Sequence, residues 1–87
     1  MNSVSDTTKA IRIGYYALLR EQRGLSEEWL ESDAATPAEL YAALRAAHGF
    51  SLASSQLKVA INDAFCPWDT PLQARDHVVF IPPVAGG

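Results

Sequence analysis

Residues 77–87 read His77-Val78-Val79-Phe80-Ile81-Pro82-Pro83-Val84-Ala85-Gly86-Gly87, and they divide sharply after Ile81. The run from Val78 to Ile81 is apolar without alternation, which predicts a central strand covered on both faces. Pro82 and Pro83 stop it, because neither can donate to a sheet ladder. Pro-Pro is stiff and extended, so it carries the chain away from the sheet. Six extended residues, 82–87, reach roughly 20 Å. At average glycine usage a chain ends in Gly-Gly roughly once in 200. A frayed end seldom follows directly from the most apolar strand of a domain, so the tail reads as a device.

Working outward, Thr36-Pro37-Ala38-Glu39 is a capping box with proline at the first helical position. Leu40, Leu44 and Ala47 follow at helical spacing and Gly49 closes the segment after His48, which predicts an amphipathic helix of about three turns. Upstream, Ile11, Ile13 and Tyr15 alternate with Arg12, Gly14 and Tyr16, as in a strand with one buried face. Ala17–Arg23 is a short helix ended by Gly24. Glu28–Ser32 is a weak strand with Leu30 inward. Leu57, Val59 and Ile61 alternate again and stop at Asn62-Asp63, a two-residue hairpin turn. Ala64-Phe65-Cys66 returns until Pro67 stops it. The expected class is α+β, with one mixed sheet packed on one main helix. Residues 1–9 read as a flexible lead, 10–81 as the domain and 82–87 as a flexible tail.

The 87 residues are 48% hydrophobic and 20% charged, ordinary for a globular chain. The net charge is −3 with seven scattered Lys and Arg, so no basic stripe tracks a phosphate backbone and nucleic acid is not expected as a partner. The longest apolar runs fall far short of the ~20 residues of a membrane span. Met1–Lys9 is polar and lacks a secretory signal, which leaves the cytoplasm as the expected location. A lone cysteine, Cys66, agrees with that.

Gly-Gly has no side chains, so a narrow channel in a partner can pass it and expose the terminal carboxylate to reagents. A carboxylate becomes an acyl donor only when its oxygen is made a better leaving group. Reaction with ATP in another protein would give an acyl-adenylate. A sulfur nucleophile could then displace AMP and leave a thiocarboxylate on Gly87.

Four stretches carry a resemblance to a known family. They are Ala17-x-x-Arg20-Glu21, Val59-x-Ile61-Asn62, Asp69-x-Pro71-Leu72, and Val78-x-Phe80-Ile81-Pro82-Pro83-Val84-x-Gly86-Gly87. From Ile11 to Gly87 the chain resembles the small subunit of molybdopterin synthase, a ubiquitin-like β-grasp protein. Two positions depart from the pattern: Arg75 stands where relatives usually carry Gly before the Asp, and Cys66-Pro67 cuts one strand short. The resemblance implies a sulfur carrier that is no enzyme on its own and binds no cofactor. An ATP-dependent activating enzyme would adenylate and sulfurate Gly87. The large synthase subunit would then accept residues Pro82, Pro83, Val84, Ala85 and Gly86 in its channel. That subunit would supply the catalytic residues and the substrate, cyclic pyranopterin monophosphate. Carriers for thiamine or tRNA thiolation share the Gly-Gly end, as do ubiquitin-like modifiers that form isopeptide bonds.

With Ile13, Tyr15, Val78 and Phe80 facing the helix, parity puts Tyr16, Val79 and Ile81 on the opposite face. The resemblance assigns partner binding to Tyr16, Phe65 and Ile81. Cys66 reads as a small strand residue beside Phe65 rather than a persulfide carrier. His48 suits the last turn of a helix, and His77 reads as a rim residue. Neither has a second ligand at metal-like spacing, so no metal site is expected. Asp69 and Asp76 read as turn residues, and Trp29 and Trp68 as half-buried packing.

Overall fold

Apolar alternation and turn chemistry produce the elements expected of them in the computed structural model, which describes residues 8–83. In chain order these are β1 (Lys9–Tyr15), α1 (Ala17–Arg23), β2 (Glu27–Ser32), α2 (Pro37–His48), β3 (Lys58–Ile61), β4 (Ala64–Phe65) and β5 (His77–Ile81). A 3-10 turn at Ser54–Gln56 was not expected from the sequence. β1 begins at Lys9, inside the stretch read as a lead. Residues 1–7 and Val84–Gly87 lie outside the described residues.

The sheet runs β2-β1-β5-β3-β4. β1 and β5 pair in parallel, and the other neighbours pair antiparallel. The mixed sheet follows from the connection: β5 returns to the middle after α2 and the β3–β4 hairpin, beside the strand that began the chain. That hairpin turns at Asn62 and Asp63, both with positive φ (52° and 73°), the geometry a right-twisted two-residue turn needs.

α2 packs on one face of the sheet. Thr36 Oγ1 accepts from the Glu39 N–H at 3.3 Å, and Glu39 Oε1 accepts from the Ala35 N–H at 2.9 Å. The box therefore closes one residue earlier than its reciprocal form. Gly49 ends the helix in the left-handed region and donates to the Arg45 carbonyl. The buried stripe is Leu40, Tyr41 and Leu44. Ala47, expected inward, is exposed, and Tyr41 takes the inward position. The larger ring reaches over Phe50, Trp68 and Phe80, with centroids 5.9, 6.2 and 5.1 Å away.

Ile11, Ile13, Tyr15, Val78 and Phe80 are fully buried beneath the helix layer. Burying a side chain such as Phe80 contributes about 1.5–3 kcal/mol. Arg23 clamps the end of α1 to β2 through two hydrogen bonds to Glu28, and Tyr15 donates to the same carboxylate at 2.6 Å. Burial pushes the Tyr15 phenol well above its usual range, and the Arg23 hydrogen bond holds the Glu28 carboxyl below its own.

β5 is central and buried on both faces as expected, although helices pack on only one of them. Val79 is buried on the other face by its outer-face neighbours, not by a second layer. Trp29, read as half-buried, is 57% exposed, because β2 is an edge strand and nothing among the described residues covers its outer face. Trp68 is half-buried as expected and stacks on Phe80.

Candidate functional site

Strand register assembles the site on the face away from α2. Gly14 is opposite Val79, Val79 opposite Ala60, and Ala60 opposite Phe65, so these four form one row across β1, β5, β3 and β4. Ile81 lies opposite Lys58 in the next row, and Tyr16 follows Tyr15, the partner of Phe80. Directly paired residues share a face. Glycine at position 14 lets the row pack closely. A Cβ there would stand 3.2 Å from Val79 Cγ2 and 3.4 Å from His77 Nε2.

Tyr16, Phe65 and Ile81, far apart in sequence, line one shallow depression of about 190 Å³ with Val79, Ala60 and Asp63. Tyr16 is 52% and Phe65 68% exposed around a floor made by Val79 and Ala60. Large exposed aromatics around a small apolar floor are the anatomy of an interface centre. Tyr16 is held firmly because its carbonyl accepts from the Leu19 and Arg20 N–H groups while Tyr15 is fixed in the sheet. Ala17, the next residue, takes φ +52° to turn the strand directly into α1.

The tail root borders the same patch. Pro82 is half-buried and Pro83 exposed. With Lys58, Phe65 and Ile81 they line an adjoining groove of about 360 Å³. Val84, Ala85 and Gly86, expected to pass through a partner's channel, and Gly87, expected to carry the reactive carboxylate, lie outside the described residues. Ala60 was not singled out from the sequence, although its parity between Val59 and the Asn62-Asp63 turn was available. Lys58 was also missed, since its place beside Ile81 depends on β3–β5 register.

At the other end of β5, Asp76 accepts from Asn62 Nδ2 and from the Gln73 N–H, while the His77 N–H donates to Asn62 Oδ1. This network ties the hairpin to the start of β5, so Asp76 is a turn residue as expected. Arg75 before it takes φ +71°. His77 is partly exposed on the rim, 3.4 Å from Glu27, which Arg12 also pairs at 2.8 Å. The Arg12 hydrogen bond lowers the Glu27 carboxyl below its usual range. Cys66 is half-buried with its sulfur 4.0 Å from the Val59 carbonyl. His48 occupies the last turn of α2, its ring against Phe50. No group of three His, Cys, Asp or Glu side chains suited to a metal occurs among the described residues. Nor, among these residues, is any helix long and apolar enough to cross a membrane.

Solved structures share this architecture. The Haloferax volcanii HVO 2177 protein is 24% identical with a TM-score of 0.79, covering 93% of this chain and 89% of its own. Small archaeal modifier protein 1 from Methanosarcina acetivorans is 19% identical with a TM-score of 0.74, covering 92% and 98%. A chain in the complex of subunits 1 and 2 of the molybdopterin-converting factor from Helicobacter pylori is 25% identical with a TM-score of 0.62, covering 90% and 99%. No protein of curated function matches the sequence. The ThiS family model, however, matches residues 13–87, from the first buried strand through the last glycine. The chain belongs to the ThiS family and is a small sulfur carrier of the ubiquitin-like fold.

Proposed function

We propose that the carrier is the small subunit of a molybdopterin synthase, donating sulfur from a Gly87 thiocarboxylate. The observation that carries this is the Pro82-Pro83-Val84-x-Gly86-Gly87 ending, rooted beside the depression of Tyr16, Phe65 and Ile81. In the first step an oxygen of the Gly87 carboxylate attacks the α-phosphorus of ATP on a separate activating enzyme, and pyrophosphate leaves. A sulfur nucleophile then attacks the acyl carbon and AMP leaves, which ends in the thiocarboxylate. The depression docks on the large subunit while the tail enters its channel. Sulfur passes to cyclic pyranopterin monophosphate, and two transfers build the dithiolene. This chain contributes docking, reach and the acyl-bound sulfur; the large subunit contributes acid–base catalysis. The likeness to the Helicobacter pylori complex supports a large-subunit partner.

A second reading is supported by the likeness to small archaeal modifier protein 1: the same activated carboxylate would form isopeptide bonds with other proteins. Intact and C-terminal peptide masses of the protein from molybdopterin-producing cells distinguish the two. We expect sulfur in place of one oxygen on Gly87, lost on alkaline hydrolysis, and molybdopterin formed with the purified large subunit. Protein conjugates without a thiocarboxylate would select the modifier reading. A carrier loaded with sulfur but inert toward cyclic pyranopterin monophosphate would move it to another thiolation pathway.

A further inference from the structure

The sheet has a second exposed feature, at the edge opposite the depression. Among the described residues β2 pairs only with β1. The Tyr15 N–H donates to the Ser26 carbonyl, and the same register pairs Ile13 with Glu28, Ile11 with Leu30 and Lys9 with Ser32. Antiparallel pairing alternates, so the backbone groups of Glu28, Leu30 and Ser32 point at β1. Those of Glu27, Trp29 and Glu31 point away from the sheet, and no hydrogen bond reaches them among the described residues. The strand has no proline, and no left-handed residue breaks it. An edge this long and regular is a template for another strand.

The side chains decide which strand. Glu27, Trp29 and Glu31 share the outer face, with Trp29 57% exposed between two carboxylates. A second copy of this chain fits badly: antiparallel pairing centred on Trp29 sets Glu27 against the other copy's Glu31, and a parallel in-register pair sets each carboxylate against itself. Like charges directly opposite are destabilising. Glu27 is partly neutralised by Arg12, whereas Glu31, among the described residues, accepts only from the Thr8 hydroxyl, an uncharged donor. On the inner face the half-buried Leu30 offers an apolar neighbour.

We infer that the free edge of β2 is a strand-addition site for an extended basic segment of another protein. The segment reads basic–aromatic–basic on its outer face, opposite Glu27, Trp29 and Glu31, with an apolar residue beside Leu30. Main-chain bonds to Glu27, Trp29 and Glu31 hold it, and the charges select it. The site lies at the opposite sheet edge from Phe65, and its outer-face side chains Glu27, Trp29 and Glu31 share a face with the depression.

The test titrates the full-length ¹⁵N-labelled chain with the blocked peptide Arg-Val-Phe-Val-Arg. We expect shift changes and slowed hydrogen exchange at the Glu27, Trp29 and Glu31 amides. The peptide Glu-Val-Phe-Val-Glu should bind on the order of tenfold more weakly, as two exposed charge pairs turn repulsive. N-methylation of the peptide amides that face β2 should abolish binding, and Glu31→Arg should erode the preference for the basic peptide. Trp29→Ala, an exposed change that spares the fold, should weaken binding without altering the charge preference. Unperturbed amides at millimolar peptide would overturn the proposal. So would binding that survives N-methylation, because that is charge attraction without strand addition.

Discussion

Arg75→Gly should make the protein more stable. Arg75 is exposed, and its side chain has no hydrogen bond or ion pair among the described residues. Its backbone sits at φ +71° while its N–H donates to the Ala10 carbonyl at 2.7 Å. A left-handed conformation costs a residue with a Cβ about 1–2 kcal/mol. Glycine removes that strain but loses about 0.5–1 kcal/mol through the greater freedom of the unfolded chain. The difference is a gain of about 0.5–1 kcal/mol, since the N–H to Ala10 survives the change. For a domain of this size the melting temperature should rise by roughly 2–8 °C. Arg75→Ala is the control: it deletes the same side chain, keeps the strain and should melt near the wild type. Thermal melts of the three proteins decide it. A Gly variant that melts lower, or an Ala variant that gains as much as Gly, would refute the argument from backbone strain.

Gly14→Val should destabilise by about 1–3 kcal/mol, because the new side chain would occupy space held by Val79 Cγ2 and His77 Nε2; denaturant midpoints measure it. Glu28 has a folded-state pKa below its unfolded value, so its stabilisation is complete above about pH 5 and is lost as pH falls through the folded value. Glu28→Gln should therefore lower stability near neutrality and flatten the acid limb of a melting-temperature profile against pH; parallel profiles would remove this carboxylate from the acid response. Ile81→Lys should leave the melt nearly unchanged yet weaken binding to a large synthase subunit by roughly 2–5 kcal/mol in calorimetry, because it puts an unpaired charge beside Lys58 in the proposed docking face.

Elements with local chemical signals were readable in the sequence. Thr36, Pro37 and Gly49 bound α2, Asn62-Asp63 turns the hairpin, and Pro82 ends β5 as each residue's backbone preference requires. Parity along β1 and β5 placed Ile13, Tyr15, Val78 and Phe80 inward, and the same counting put Tyr16 and Ile81 on the other face. What was not readable depends on neighbours distant in sequence. Trp29 and Trp68 are chemically alike, yet one is bare on an edge strand and the other stacks on Phe80, which only strand order decides. Ala47 and Tyr41 exchanged roles because helical spacing defines a stripe but not where the core is deepest. Arg75 showed the converse: a side chain unsuited to the left-handed region did not move the turn, because the Asp76–Asn62 network and the Ala10 carbonyl hold it.

The parallel pairing of β1 with β5 also has a mechanical consequence. The two strands run side by side from Arg12–His77 to Tyr15–Phe80, one leading in from the N-terminus and the other leading out to the tail. A pull between the two ends slides β1 and β5 along each other, so the bonds between them bear the load together. A pull applied at Phe65 instead strips the two-residue β4 from the sheet one bond at a time. The domain should therefore unfold at a much higher force in single-molecule pulling through its ends than through residue 65. A force applied to the tail end of β5 would therefore load its pairing with β1 in shear.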